Sequence, residues 1–184
     1  MAVKIIDNCC SPVYLDNLKD IAINDENWNL RYPVGCAIED KFLKLDIINH
    51  NGINHPLLAG LALGLLLQIQ EAGGHGLFVP NVIKFCGISI KDKHRQDNIH
   101  SDYKETSPFV KILGIINSDW KEEWGGGFFH NGTSNYIKPT SFCIFDSSEE
   151  HAAEEIFTDK KRFAIDFTVF RDQQSLEKTI QKKI

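Results

Sequence analysis

The chain lacks most of the features that mark secreted, membrane-spanning or nucleic-acid-binding proteins. Its five cysteines, Cys9, Cys10, Cys36, Cys86 and Cys143, form no CxxC pair and no zinc-like spacing, and an odd number leaves one unpaired. Adjacent Cys9 and Cys10 read as incidental thiols. The N-terminus has no basic region followed by an apolar run, so no signal peptide is expected and a reducing cytoplasm is the simplest compartment. The sequon Asn131-Gly132-Thr133 then reads as turn chemistry. The apolar run 57–67 falls short of the roughly 20 residues that cross a bilayer. Gln68, Gln70 and Glu71 follow it directly, which suits a buried helix and no membrane partner. Positive charge is also scarce: a net charge of -5 and a pI near 5.8 argue against a broad surface for nucleic-acid phosphates. The one dense basic stretch outside the C-terminal tail, Lys91, Lys93, His94 and Arg95, is diluted by Asp92 and Asp97 and reads as a solvated loop or strand edge. Repeats, low-complexity tracts and Pro/Ser-rich linkers are missing as well.

What is present suits one domain. A length of 184 residues with 42% hydrophobic and 24% charged residues is enough for a single core. The first third reads as helix-rich scaffolding. Val13, Leu15, Leu18, Ile21 and Ile23 form a helical stripe over 12–23 that begins at Ser11-Pro12, and a second helix is predicted over 55–72, ending at Gly73-Gly74. From about residue 78 the pattern turns to short β segments: 82–90, 109–117, 141–145 and 162–170, separated by turn residues. The expectation is a mainly β domain, a double-stranded β-helix (a cupin-like jelly roll) packed on N-terminal helices. Residues 1–80 would be scaffold, 81–171 the core and 172–184 a polar tail forming a frayed helix.

His100-Ser101-Asp102 places an imidazole and a carboxylate at i and i+2, on one face of an extended segment. His151 offers a third ligand 51 residues later, after the strand-like Cys143-Ile144-Phe145-Asp146 and a turn. Two imidazoles and one carboxylate leave three positions open on an octahedral metal, which suits Fe(II). Eleven residues beyond His151, Arg162 opens the last strand, where a guanidinium can grip a carboxylate with two hydrogen bonds.

The segment from His100 to Phe170 resembles the catalytic core of the 2-oxoglutarate- and iron(II)-dependent dioxygenases, in their prolyl-hydroxylase-like branch. The features run in order: His100-x-Asp102, then Ile116-Asn117-Ser118-Asp119-Trp120 with Gly125-Gly126-Gly127-Phe128, then Pro139 and Phe145 before His151, then Arg162-Phe163-Ala164. The resemblance implies an oxygenase whose metal ligands are His100, Asp102 and His151. Fe(II) would be the cofactor, with ascorbate as reductant, while 2-oxoglutarate and dioxygen are consumed and succinate and carbon dioxide released. It also implies hydroxylation of an unactivated C–H bond, with a peptidyl proline or another protein side chain as the first expectation. A free amino acid or small metabolite comes second and nucleic acid third. Arg162 is the expected anchor for the distal carboxylate of 2-oxoglutarate, with Lys111 as rival. Asp166, on the same strand face as Arg162, would contact cosubstrate or substrate, or else pair with Lys111 or Arg162. Two departures stand out: Leu113 and Ile115 occupy positions where relatives carry a tyrosine, and Ala164 replaces a common serine. Outside this class, a non-catalytic jelly-roll binding module is the alternative. His130 reads as a partly exposed loop residue, and Glu149, Glu150, Glu154 and Glu155 as a solvated face.

Overall fold

A computed structural model describes residues 3–31, 42–103 and 107–181, so Cys36 lies outside the described residues. The strands in chain order are β1 (Lys4–Ile6), β2 (Asn29–Arg31), β3 (Phe42–Asn49), β4 (Gly52–Ile53), β5 (Val79–Lys91), β6 (Phe109–Ile115), β7 (Phe128–His130), β8 (Thr133–Asn135), β9 (Phe142–Asp146), β10 (His151–Ala153) and β11 (Arg162–Phe170). Eight of them build a large sheet in the order β1-β9-β6-β11-β5-β3-β2, with β4 beside β3; β10, β7 and β8 build a small one. Every pairing is antiparallel.

The period-two pattern of β11 explains the layering. Phe163, Ile165, Phe167 and Val169 enter the main core, while Arg162, Ala164 and Asp166 line a cavity on the opposite face. The core face is covered by α1 (Pro12–Ile23) and α2 (Pro56–Ile69), which bring in Leu15, Leu18, Ala22, Leu58, Leu65 and Leu66. Each of these leucines, fully withdrawn from water, contributes about 1.5–3 kcal/mol. The start of α1 follows from its sequence: Pro12 fits the first turn, and the Ser11 hydroxyl accepts the Tyr14 N–H at 3.2 Å. The helical stretch Pro56–Gly74 spans 19 residues and, by length and composition, could cross a membrane. Its Leu65, Leu66 and Ile69 are nonetheless buried in the core.

One part of the chain differs from the sequence reading. The scaffold region also supplies β3, which joins the large sheet beside β5; Leu45 and Ile47 point into the core, while Lys44 and Asp46 face the cavity. The tail forms a regular helix, α3 (Gln173–Gln181), held by Leu176 against Phe109 and Phe170. The sequon does form a turn. Asn131 and Gly132 both take positive φ (45° and 83°) in the two-residue loop between β7 and β8, the geometry that Asn-Gly favours.

Candidate active site

His100 and His151 come together because their backbones pair. An isolated antiparallel bridge joins them, their rings lie 4.6 Å apart, and the bend at 101–103 brings Asp102 beside both. The Asp102 carboxylate stands 4.0 Å from His100 Nε2 and 3.8 Å from His151 Nε2. One ligand atom from each residue lies within 4.8 Å of the other two. Both imidazoles are oriented from behind: Nδ1 of His100 is 2.8 Å from the Asn98 carbonyl, and Nδ1 of His151 is 2.8 Å from the Glu149 carbonyl. A carbonyl only accepts, so each Nδ1 carries the proton and each Nε2 presents a lone pair to the shared space. Burial lowers the pKa of His151, and His100 and Lys111 push the same way against the Glu149 carbonyl and Asp102. The ring is therefore kept in the neutral form, the one an imidazole needs to hold a metal.

Behind His151 sits His130, which is buried (4% exposed) and not on the surface as expected. The last residue of β7, it shares the inward face of Phe128 and packs against Phe128 and Phe145, with Nε2 3.0 Å from the Glu149 carboxylate. Glu149 thus fixes His130 with its side chain and His151 with its carbonyl, so the acidic run is not simply a solvated face. Glu154 and Glu155 are engaged too, with Ser134 and His94. We expect His130→Leu, which preserves the packing volume, to weaken Mn(II) binding about tenfold, the scale at which support behind a ligand acts. A metal titration checks this.

A cavity of about 400 Å³ adjoins His100, Asp102 and His151. Arg162 closes one end. It is 3% exposed, its Nη1 donates to the Gly126 carbonyl at 2.7 Å, and its Nε has no hydrogen-bond partner. Gly126 takes φ 71°, and a Cβ there would stand 2.9 Å from Arg162 Cδ, so the glycine admits the guanidinium. Lys91 lies beside Arg162 across the β5–β11 pairing and is ion-paired with Asp97. The basic cluster is thus not a solvated edge at this point: Lys91 and Arg95 are both 7% exposed, because the alternation of β5 carries Lys91 onto the cavity face. Burial, together with Arg162 and Arg95, pulls the Lys91 pKa down to about 8 against the attraction of Asp97.

At the other end, Lys111 Nζ stands 3.1 Å from Asp166 and 3.6 Å from Asp102, and Lys44 Nζ 3.4 Å from Asp166. Burial opposes charge on Lys111 and Asp166, but their mutual attraction overrides it, raising the lysine pKa and lowering that of the aspartate. Arg162 and Asp166 are four residues apart on one strand face, about 13 Å at ~3.3 Å per residue. Of the two partners considered for Asp166, the structure provides Lys111, and it adds Lys44. Leu113 and Ala164 both line the cavity. Lys44, Lys91 and Asp97 were not anticipated from sequence. The alternation Lys44-Leu45-Asp46-Ile47 and the phase of Lys91 with Ser89 are the signals that could have shown them.

No family model matches the sequence, and no curated protein matches it either. Solved structures do share the fold. A viral collagen prolyl hydroxylase from Paramecium bursaria Chlorella virus-1, solved with 2-oxoglutarate, is 11% identical, with a TM-score of 0.64 over 92% of this chain and 96% of that one. A prolyl hydroxylase from Trichoplax adhaerens, solved with a peptide fragment of the hypoxia inducible factor oxygen degradation domain, is 12% identical, with a TM-score of 0.68 over 95% and 86%. HygX from Streptomyces hygroscopicus, with nickel, 2-oxoglutarate and hygromycin B bound, is 10% identical, with a TM-score of 0.65 over 91% and 82%. These likenesses establish the jelly-roll fold of the 2-oxoglutarate–Fe(II) oxygenases, as the sequence reading expected.

Proposed function

We propose that this chain is an Fe(II)- and 2-oxoglutarate-dependent oxygenase that hydroxylates an unactivated C–H bond and releases succinate and carbon dioxide. One observation carries the reading: two histidines with free Nε2 lone pairs and an aspartate converge at a cavity whose far end holds a buried arginine with an unpartnered nitrogen. This donor set fits Fe(II) better than a closed structural zinc site, because three ligands leave positions for cosubstrate and dioxygen. Iron held there would supply dioxygen activation coupled to oxidation of 2-oxoglutarate.

The chain's own residues bind and orient. His100, Asp102 and His151 hold the metal, and Asn98 and Glu149 keep the two imidazoles aimed. Arg162 binds the distal carboxylate of 2-oxoglutarate, and it suits that role better than Lys111, which already serves Asp102 and Asp166. The apolar walls Leu113, Phe128 and Phe145 exclude water from the space between. Asp166 acts through Lys111, at the end away from Arg162. The four described cysteines are free thiols, which suits a reducing cytoplasm.

The test is formation of succinate from 2-oxoglutarate by protein purified without oxygen, then supplied with Fe(II), ascorbate and air. Metal-dependent succinate is the expected result, together with a rise in melting temperature on adding Mn(II) and 2-oxoglutarate. The absence of both turnover and a thermal shift would overturn the reading in favour of a jelly-roll binding module.

A further inference from the structure

The cavity continues past Lys111 and Lys44 into an adjoining hollow that also takes in Lys84 and Tyr103. Across the two, among the described residues, six cationic side chains face four carboxylates. The pairings show where the excess lies. Lys91 is matched by Asp97, which also takes Arg95 from outside the cavity at 3.4 Å, and Arg31 by Asp46, whose side-chain atoms are 2.7 Å apart. Lys84 is at the exposed rim, on the Tyr103 hydroxyl at 2.8 Å. Lys44 and Lys111 must share Asp166, because Asp102 is the metal ligand of the proposed function, on which this inference rests.

In the loaded site, the two positive charges of Fe(II) and the two negative charges of 2-oxoglutarate cancel. Arg162 balances Asp102. What remains is two ammonium groups on one carboxylate, at the end of the cavity away from Arg162. Both lysines are largely buried, with side chains 19% and 14% exposed, and both lie near the Phe85 ring, at 4.4 and 5.9 Å from its centre. An uncompensated cation withdrawn from water is costly and draws an anion. An uncharged ring or amide would leave it unmatched. We infer that the primary substrate carries a carboxylate, held by Lys44 and Lys111 with Asp166 fixing the two ammonium groups, so that the C–H bond oxidised lies close to that carboxylate.

The experiment follows release of labelled carbon dioxide from 2-oxoglutarate labelled at its first carbon, with the Fe(II)-loaded protein. One arm offers free acids: aspartate, glutamate and N-acetyl amino acids. A second offers the same N-acetyl compounds as uncharged primary amides, together with a capped prolyl peptide. A third places aspartate and glutamate inside capped peptides. We expect at least one acid to raise the release tenfold or more and its amide to do nothing. A response in the first arm identifies a small molecule as the source of the carboxylate, and one in the third arm alone identifies a protein side chain. Lys44→Met should then raise the KM for the responding acid at least tenfold while the KM for 2-oxoglutarate stays within twofold, and Lys44→Arg should restore most of the loss. Stimulation by the amides or the prolyl peptide equal to that by the acids would overturn the inference, as would silence from every acid. If Mn(II) and 2-oxoglutarate still raise the melting temperature in either case, the oxygenase reading stands without it.

Discussion

Replacing His100 with alanine is expected to abolish Fe(II)-dependent consumption of 2-oxoglutarate while leaving the fold in place. His100 is the ligand best suited to this separation. Its side chain is 32% exposed, and what ties it into the small sheet is a backbone bridge to His151 that alanine keeps, with N–O distances of 3.1 and 2.9 Å. A substitution at such a position should move unfolding by about 0.5 kcal/mol. The proposed metal site, by contrast, would drop from three ligands to two. The loss of affinity should exceed the 10–100-fold that follows when only the support behind a ligand is removed. Paired titrations with Mn(II) and chemical denaturation of both proteins give the two readouts. Full turnover by His100→Ala would remove the proposed metal centre. His151→Ala is a poorer probe, because that ring is buried against Phe145 at 4.8 Å and its loss opens a hole in the packing.

The legibility of this site follows from where its residues sit. His100, Asp102, His151 and Arg162 stand out in the sequence by residue type, order and spacing: His151 and Arg162 open β10 and β11, while His100 and Asp102 lie in the irregular stretch before β6, tied to the small sheet by one bridge. The last strand could be read in full: strict alternation over 162–170 marks β11 and both of its faces. Helix α1 was equally plain, since Ser11-Pro12 is a start signal and the apolar stripe has helical period. Lys44 was obscured by the reading of residues 1–80 as helical scaffold. The eight residues of β3 alternate, but Ile47-Ile48 breaks the pattern where the pairing with β5 shifts register, and the partner strand lies some 40 residues ahead. Lys91 and Arg95 were obscured by composition. Four basic residues among five look solvated, and only pairing with β11 and the presence of Asp97 make their burial tolerable. His130 gave no local signal, because its partner Glu149 is brought near by the β7–β10 pairing. In each case the missing information is a long-range register, which a single strand's periodicity does not contain.

That same register governs the second large effect expected. Arg162→Met should raise the 2-oxoglutarate concentration for half-maximal turnover about a hundredfold. Truncating one side of a buried charge pair costs about 2–5 kcal/mol, and each 1.4 kcal/mol is about tenfold. Arg162→Lys should fall between, since an ammonium cannot reproduce the two-pronged grip. Lys111→Met should leave the cosubstrate requirement within threefold, because Lys111 is committed to Asp166 and Asp102 at the other end of the cavity. A larger rise for Lys111→Met than for Arg162→Met would reverse the assignment of the anchor. The pH profile tests the same arrangement through Lys91. With its pKa pulled down to about 8, Lys91 is protonated below that value and neutral above it, whereas 2-oxoglutarate stays a dianion throughout. Affinity should therefore weaken as pH rises from 7 to 9, as one of the cations beside Arg162 is lost. Removing the guanidinium removes a charge that holds the Lys91 proton off, so in Arg162→Met the inflection should move to higher pH. A profile flat from pH 7 to 9 in both proteins would show that Lys91 takes no part in binding the cosubstrate.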